Sequence, residues 1–228
     1  MIVSLLDKVI LFDLDGTLLD STDAILGTCF DVFKNKKFEH SIDDEFIKSL
    51  IGYPLETMFL MCGVMEENVD DFVLEYKRIY RQISFSQTFL LPMALETLEL
   101  AASFARLGIV TTKTGAYTKP LLEHLGIGHF FETLVGREHV VMPKPHPEPI
   151  FKALHQMGKD VDENIWMVGD TKLDIIAAND ANIKAAAVLS GYGKKDELEK
   201  LCDNIFETSF DAINFIKTTF GERIKRFP

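Results

Sequence analysis

The sequence predicts an α/β fold in which a parallel sheet core carries an inserted α-helical cap domain. Two features of the 228-residue chain indicate this fold. After residue 92, short apolar segments alternate with helical segments, which is typical of βαβ units and of a sheet covered by helices on both faces. Between residues 22 and 85, apolar residues recur at helical spacing instead. An apolar strand precedes this helical region, so the helices interrupt the core.

The first strand and the cap helices can be placed from their apolar patterns. Val9 to Leu14 form a short apolar run closed by turn residues, as expected of a buried strand. Helical spacing then covers residues 24–33, 44–51, 54–63 and 67–85. The third of these segments begins with Pro54, which is favoured at the first position of a helix. The cap is therefore predicted to be a bundle of about four helices.

The remaining chain is predicted to alternate between helices and strands. Helices are expected at residues 92–108, 117–126, 147–158, 173–182, 194–201 and 209–216, and strands at residues 109–112, 133–136, 165–170 and 184–190. The first of these helices is expected to end at Gly108, since glycine commonly follows a helix. We assign residues 1–18 and 90–228 to the core and residues 19–89 to the cap. A cap that leaves from the carboxyl edge of the sheet would cover a site there.

Composition excludes several classes of protein. Apolar residues make up 47% of the chain and charged residues 26%, so the chain can bury an ordinary core and is not disordered. The net charge of −11 makes nucleic acid and anionic membrane surfaces poor partners. Asp7 and Lys8 interrupt an N-terminal segment without a basic region, which we expect to be neither a signal peptide nor a membrane span. Three widely separated cysteines, Cys29, Cys62 and Cys202, favour reduced thiols and a cytoplasmic protein.

Polar residues cluster at the carboxyl ends of the predicted strands. These residues are Asp13, Asp15, Thr111, Thr112, Lys144, Asp170 and Asp174. Parallel strands end at the same edge of a sheet, so we expect these side chains to form one site. An Asp-Gly pair alone is usually only a turn, and Thr111 alone could be an ordinary strand residue. These residues form four clusters, at residues 13–17, at 111–112, at 144 and at 170–174, and the order and placement of all four indicate a site for chemistry.

The residue types predict phosphoryl chemistry at a metal ion. Crowded carboxylates repel one another and raise each other's pKa, which a divalent cation relieves. Oxygen ligands favour Mg²⁺. Lys144 could keep a carboxylate ionised or bind a phosphate oxygen, and Thr111 could help to hold an anion. Asp13 and Asp15 lie on the same side of the strand, so one could attack phosphorus while the other handles the leaving-group proton.

Four motifs resemble those of the haloacid dehalogenase superfamily of aspartate-nucleophile phosphotransferases. They are FDLDGTLLDS, IVTTK, KPHPEPIF and VGDTKLDIIAAN, in this order along the chain. The resemblance covers essentially the whole chain and is closest to the phosphoglycolate phosphatase-like group, with β-phosphoglucomutases and a pyrophosphatase nearby. It implies a Rossmann-like core, a helical cap and an aspartyl-phosphate intermediate.

The resemblance also implies roles for the site residues. Asp13 resembles the nucleophile, and Asp15 resembles the general acid that later serves as the base for the hydrolytic water. Phosphate would be bound by Thr111, Thr112 and Lys144. Mg²⁺ would be held by Asp13, by the backbone carbonyl of Asp15 and by Asp170. Asp174 would hold a metal-bound water or orient a ligand.

The expected function is that of a Mg²⁺-dependent phosphatase for small phosphorylated metabolites, active as a monomer or homodimer. Phosphoglycolate is the leading substrate, followed by pyrophosphate or a sugar phosphate. A phosphomutase is one alternative, although mutases of the group often carry an arginine just after the glycine that corresponds to Gly52, where this chain has Tyr53 and Pro54. A phospho-acceptor signalling module is an alternative from another class, but it would need neither an inserted cap nor Asp15.

Overall fold

The computed structural model describes residues 7–224, with side chains up to residue 220. Its strands are β1 (Val9–Phe12), β2 (Leu19–Asp20), β3 (Phe89–Leu90), β4 (Arg106–Val110), β5 (Phe131–Val135), β6 (Ile165–Gly169), β7 (Lys184–Val188) and β8 (Ile205–Phe206). Six of them form a parallel sheet in the order β5-β4-β1-β6-β7-β8, and β2 pairs with β3 in a separate antiparallel ladder. The predicted α/β class is confirmed.

Strand β1 lies in the middle of the sheet and is buried on both faces. It pairs in parallel with β4 on one side and β6 on the other. Because successive side chains of a strand point to opposite faces, Ile10 and Phe12 enter one core layer, and Val9 and Leu11 enter the other. A strand covered on both faces requires a continuous apolar run such as this one.

Helices cover both faces of the sheet and build the cap. They are α1 (Thr22–Asn35), α2 (Asp44–Lys48), α3 (Leu55–Met61), α4 (Glu66–Gln87), α5 (Ala94–Ala102), α6 (Gly115–His124), α7 (Glu148–Gln156), α8 (Lys172–Asp180), α9 (Lys195–Leu198) and α10 (Ser209–Ile224). Leu98 of α5 and Ile216 of α10 pack on the first core layer, and Leu154 of α7 and Ile175 of α8 pack on the second. No helix within residues 7–224 is both long and apolar enough to cross a bilayer.

The prediction that the first core helix ends at Gly108 is wrong. Helix α5 ends at Ala102, and Gly108 lies inside β4. A Cβ atom at residue 108 would approach Thr133 Cγ2 to 2.8 Å and Leu11 Cδ2 to 2.9 Å. The glycine therefore allows its neighbours to pack closely against the strand, a role that a sequence cannot distinguish from a helix stop.

Helices α1 to α4 form an apolar cluster of their own. Its members include Phe33, Phe59 and Tyr76, which are nearly inaccessible to solvent. Phe33 and Phe59 meet edge to face, as do Phe59 and Tyr76. The chain enters this region through β2 and leaves it through β3, and these short strands pair antiparallel. The division at residues 19–89 stays a prediction.

Candidate active site

The site residues follow the carboxyl ends of three neighbouring strands. Asp13 comes directly after β1, Thr111 after β4 and Asp170 after β6. The backbone N–H of Asp13 donates to Val168 O at 2.9 Å, and that of Thr111 donates to Val135 O at 2.9 Å. The sheet pairing thus continues to the residues that begin the site, and it fixes their positions relative to one another.

Three carboxylates meet at this edge. One oxygen each from Asp13, Asp170 and Asp174 lie within 4.8 Å of one another, and all three residues are buried. Lys144 enters the cluster on the loop before α7. Its Nζ lies 2.5 Å from Asp174 Oδ1 and 2.9 Å from Asp13 Oδ1, and it donates to Val110 O at 2.9 Å. Three buried negative charges therefore surround one positive charge.

Burial and repulsion set the protonation of this cluster. Burial, and then the nearby Asp174 carboxylate, raise the pKa of Asp13 to about 6 even though Lys144 acts in the opposite direction. Burial, together with Asp174 and Asp13, raises the pKa of Asp170 well above its ordinary value. Burial alone would lower the pKa of Lys144, but Asp13 and Asp174 raise it above its ordinary value. Lys144 therefore stays protonated, and a further positive charge nearby would favour the ionised form of the carboxyl groups.

Individual hydrogen bonds distinguish Asp174 from Asp13. Asp174 Oδ1 accepts from Lys144, and its Oδ2 accepts from the backbone N–H and hydroxyl of Thr171, at 3.0 and 2.8 Å. Asp13 Oδ1 is close to Lys144 Nζ but receives no well-aligned hydrogen bond, although the atom is fully buried. Because buried carboxylate oxygens are normally paired, Asp13 has coordination capacity left, whereas both oxygens of Asp174 already have protein donors.

Asp170 is held from two sides by residues to which the sequence analysis assigned no role. The Thr17 hydroxyl donates to its Oδ1 at 3.0 Å, and the backbone N–H of Tyr192 donates to its Oδ2 at 2.8 Å. Glycines allow these contacts, since a Cβ at Gly16 would lie 2.4 Å from Asp170 Oδ2 and a Cβ at Gly191 only 2.0 Å. The acidic donor set and its spacing fit a hard cation such as Mg²⁺.

Asp15 is paired with a lysine that sequence reasoning missed. Lys113 Nζ lies 3.0 and 2.8 Å from the two carboxylate oxygens, and the Ser21 hydroxyl donates to Oδ1 at 2.5 Å. The Lys113 ammonium also lies over the ring of Tyr80, 4.7 Å from its centroid. Lys113 stands two residues after Thr111 in the motif IVTTK. That position was the available signal, but a loop lysine also fits a solvated surface.

The two threonines after β4 differ in their contacts. Thr111 is buried, and its Oγ1 accepts from the Lys113 backbone N–H at 3.2 Å. The Thr112 hydroxyl donates to the Gly52 carbonyl of the cap at 2.8 Å. The role of Thr111 and Thr112 in phosphate binding stays a prediction, as do the roles of Asp13, Asp15, Lys144, Asp170 and Asp174.

A cavity of about 60 Å³ lies between the cap and the carboxyl edge of the core. Asp15, Thr112 and Lys113 line it from the core, and Tyr53 and Tyr80 line it from the cap. The cap thus closes over the side of the site that contains Asp15. A ligand bound there would contact both parts of the chain.

Comparison with known proteins gives a consistent result. A family model described as haloacid dehalogenase-like hydrolase matches residues 10–188. A pyrophosphatase PpaX from Bacillus velezensis is 35% identical over 85% of this chain and 93% of the relative, and a phosphoglycolate phosphatase from Colwellia psychrerythraea is 30% identical over 85% and 89%. The structure is similar to that of a haloacid dehalogenase-like family hydrolase from Streptococcus pneumoniae, with a TM-score of 0.81 and 28% identity over 91% of this chain and 97% of that one.

Proposed function

Because the chain belongs to the haloacid dehalogenase-like hydrolase family, in which its relatives are named phosphatases, we propose that it is a Mg²⁺-dependent phosphatase of small phosphorylated metabolites. Phosphoglycolate is the leading substrate, and pyrophosphate is the second. The family expected from the sequence motifs is confirmed, and the chain is a phosphate-releasing hydrolase. The metal, the mechanism and the substrate are the proposed part.

One observation carries the proposal. A buried carboxylate, Asp13, lies at the end of the central strand with one oxygen lacking an aligned donor, beside a buried cation and two further carboxylates. The Lys144 ammonium, 2.9 Å from Asp13 Oδ1, offsets only part of the negative charge of these three carboxylates. A nucleophile at this place must keep a lone pair available for phosphorus.

The residues have the following roles in the proposed reaction. Asp13 attacks phosphorus, and the bond between phosphorus and the leaving oxygen breaks as the aspartyl-phosphate forms. Asp15 gives a proton to the leaving oxygen and then takes one from the water that cleaves the intermediate. Lys144 and Thr111 bind the phosphoryl oxygens and offset the charge that develops on them. The reaction returns Asp13 as a free carboxylate and releases inorganic phosphate.

Mg²⁺ would be held by Asp13, Asp170 and the backbone carbonyl of Asp15, and it would supply positive charge to the phosphoryl group. Asp174 accepts from Lys144 on one oxygen and from Thr171 on the other, which leaves it to orient Lys144 and the start of α8. This division agrees with the role that the sequence motifs imply for Asp174.

Phosphate release tests the proposal. The purified chain should release phosphate catalytically from phosphoglycolate or pyrophosphate with Mg²⁺ and lose that activity with EDTA. Asp13→Asn should abolish release, because an amide is not a nucleophile here, and Asp31→Asn, at an exposed position on α1, is the matched control. Retention of one phosphate per chain without turnover would support the signalling module instead, and substantial activity in the Asp13 variant would refute the nucleophile.

A further inference from the structure

Two charged residues that line the cavity beneath the cap have no role in the proposed reaction. Asp15 and Lys113 line the side next to the reacting atoms. Arg137 from the core and Glu56 from the first turn of α3 also line it. A leaving group that departs beside Asp15 would therefore enter a cavity that an arginine also lines.

The backbone fixes Arg137 next to the site. Its N–H donates to the Lys113 carbonyl at 3.0 Å, which joins the short 3₁₀ helix Arg137–His139 to the loop after β4. The preceding Gly136 makes this approach possible, since a Cβ there would lie 2.4 Å from Gly115 N and 2.8 Å from Lys113 O. Arg137 is thus positioned by the same loop that carries Lys113.

The guanidinium of Arg137 is only partly paired. Its Nη1 donates to Val140 O at 3.2 Å. Its Nε lies 3.8 Å from Glu56 Oε2, too far for a hydrogen bond. Both the Nε and that carboxylate oxygen are inaccessible atoms without a hydrogen-bond partner among the described residues, although the two side chains are 30% and 37% exposed. A buried donor on a cation is costly to leave unpaired, so this pair is suited to open for an anion that offers better geometry.

We infer that Arg137 selects substrates whose leaving group is small and itself anionic, a carboxylate-bearing alcohol or a second phosphate. The inference rests on the proposed phosphatase function. Guanidinium groups bind carboxylate and phosphate through paired N–H donors. Without a ligand, the Glu56 carboxylate lies near the guanidinium at a distance too long for a hydrogen bond. The anionic group of the ligand takes its place.

The size of the cavity supports the same class of leaving group. The cavity leaves about 60 Å³ for the centres of water-sized groups, which suits a leaving group of a few atoms. A two-carbon acid or an inorganic phosphate fits this space. A hexose is larger and uncharged, so we expect sugar phosphates to be poor substrates.

The test compares two substrates of almost equal size. Phosphoglycolate carries a carboxylate, and 2-hydroxyethyl phosphate carries a hydroxymethyl group in its place. We measure the ratio of their kcat/KM values in wild type, Arg137→Met, Arg137→Lys and Glu56→Gln, with Mg²⁺ present. A ratio within one variant is independent of the fraction of correctly folded enzyme. Pyrophosphate and glucose 6-phosphate are measured alongside, to separate phosphate from carboxylate leaving groups and to test size.

Wild type should prefer the anionic substrates, and Arg137→Met should lower that preference about ten- to hundredfold, as expected for a lost hydrogen bond to a charged group. Arg137→Lys should recover part of it, and Glu56→Gln, which keeps the guanidinium, should keep it. If Arg137 only held the cap against the core, Arg137→Met and Glu56→Gln would lower kcat/KM equally for both substrates. The ratio of the two kcat/KM values would then stay at the wild-type value. Equal hydrolysis of both substrates by wild type, or faster hydrolysis of glucose 6-phosphate, would overturn the inference while leaving the phosphatase proposal intact. Failure of wild type to release phosphate from any substrate would instead overturn the proposed function.

Discussion

Neutralising Asp13 should stabilise the metal-free protein while it removes activity. The pKa of this carboxyl rises from 3.8 to about 6, mainly through burial. A carboxyl group with a raised folded pKa binds its proton more tightly in the folded state, so stability is lost as pH rises from about 3.8 to about 6. Asparagine carries no charge at any of these pH values and escapes the loss.

The size of the effect follows from the same shift. At about 1.4 kcal/mol per pKa unit, the ionised Asp13 destabilises the folded protein by about 3 kcal/mol above pH 6. Asp13→Asn should therefore exceed wild type in free energy of unfolding by about 3 kcal/mol at pH 7.5 and by much less at pH 4. Lys144 keeps Asp174 as a partner in the variant, so no new unpaired cation arises.

Urea unfolding in EDTA measures this difference. Trp166, the single tryptophan, is 3% exposed in β6 and reports unfolding by fluorescence. Asp31→Asn makes the same charge change on the surface and should stay within about 0.5 kcal/mol of wild type without a pH trend. Mg²⁺ should stabilise wild type more than Asp13→Asn and so narrow the gap. A gap that does not grow between pH 4 and pH 7.5 would refute the claim that Asp13 is a destabilising buried charge.

Three further changes test local features of the fold and site. Gly16→Ala should lower kcat about 100-fold or more, because its Cβ would lie 2.4 Å from Asp170 Oδ2 at a φ of +87°; steady-state kinetics check this, and near wild-type kcat would contradict it. Met93→Gly should raise the free energy of unfolding by about 0.5–1 kcal/mol, because Met93 has a φ of 63° and is 43% exposed. A loss of stability in urea would show that its side-chain contacts matter more than the backbone strain. Burial raises the pKa of Cys62 to about 11, so at pH 8 it should react with a disulfide reagent about 100-fold more slowly than an unperturbed thiol; an equal rate would mean that the thiol is accessible and acidic.

The sequence predicts the parts of this molecule that have a local pattern. The apolar residues of β1 followed by Asp13 could be recognised in the sequence, because an acidic residue directly after a buried strand is uncommon and indicates a site. The two-residue strands β2, β3 and β8 could not be predicted, since two residues form no periodic pattern. They exist because distant segments pair with them.

The missed site residues share a different cause. Lys113 contacts Asp15 from 98 positions away, and Thr17 contacts Asp170 from 153 positions away. A lysine or threonine in a loop is chemically ordinary until the fold brings its partner close. Gly108 shows the same limitation, because a glycine that allows close packing and one that ends a helix look alike in sequence.

The charges of the site explain why its residues serve function at the expense of stability. Lys113 pairs with Asp15, and Lys144 pairs with Asp13 and Asp174. With Asp170 beside them, the buried cluster carries a formal charge of −2 when all three carboxyl groups are ionised. A phosphate dianion entering that cluster would be repelled, because burial weakens the screening of every charge. One divalent cation brings this formal charge to zero, so a phosphate no longer meets a net negative charge and can bind to the cation and to Lys144. The carboxylates that destabilise the metal-free fold are therefore the ones that make phosphate binding depend on the metal.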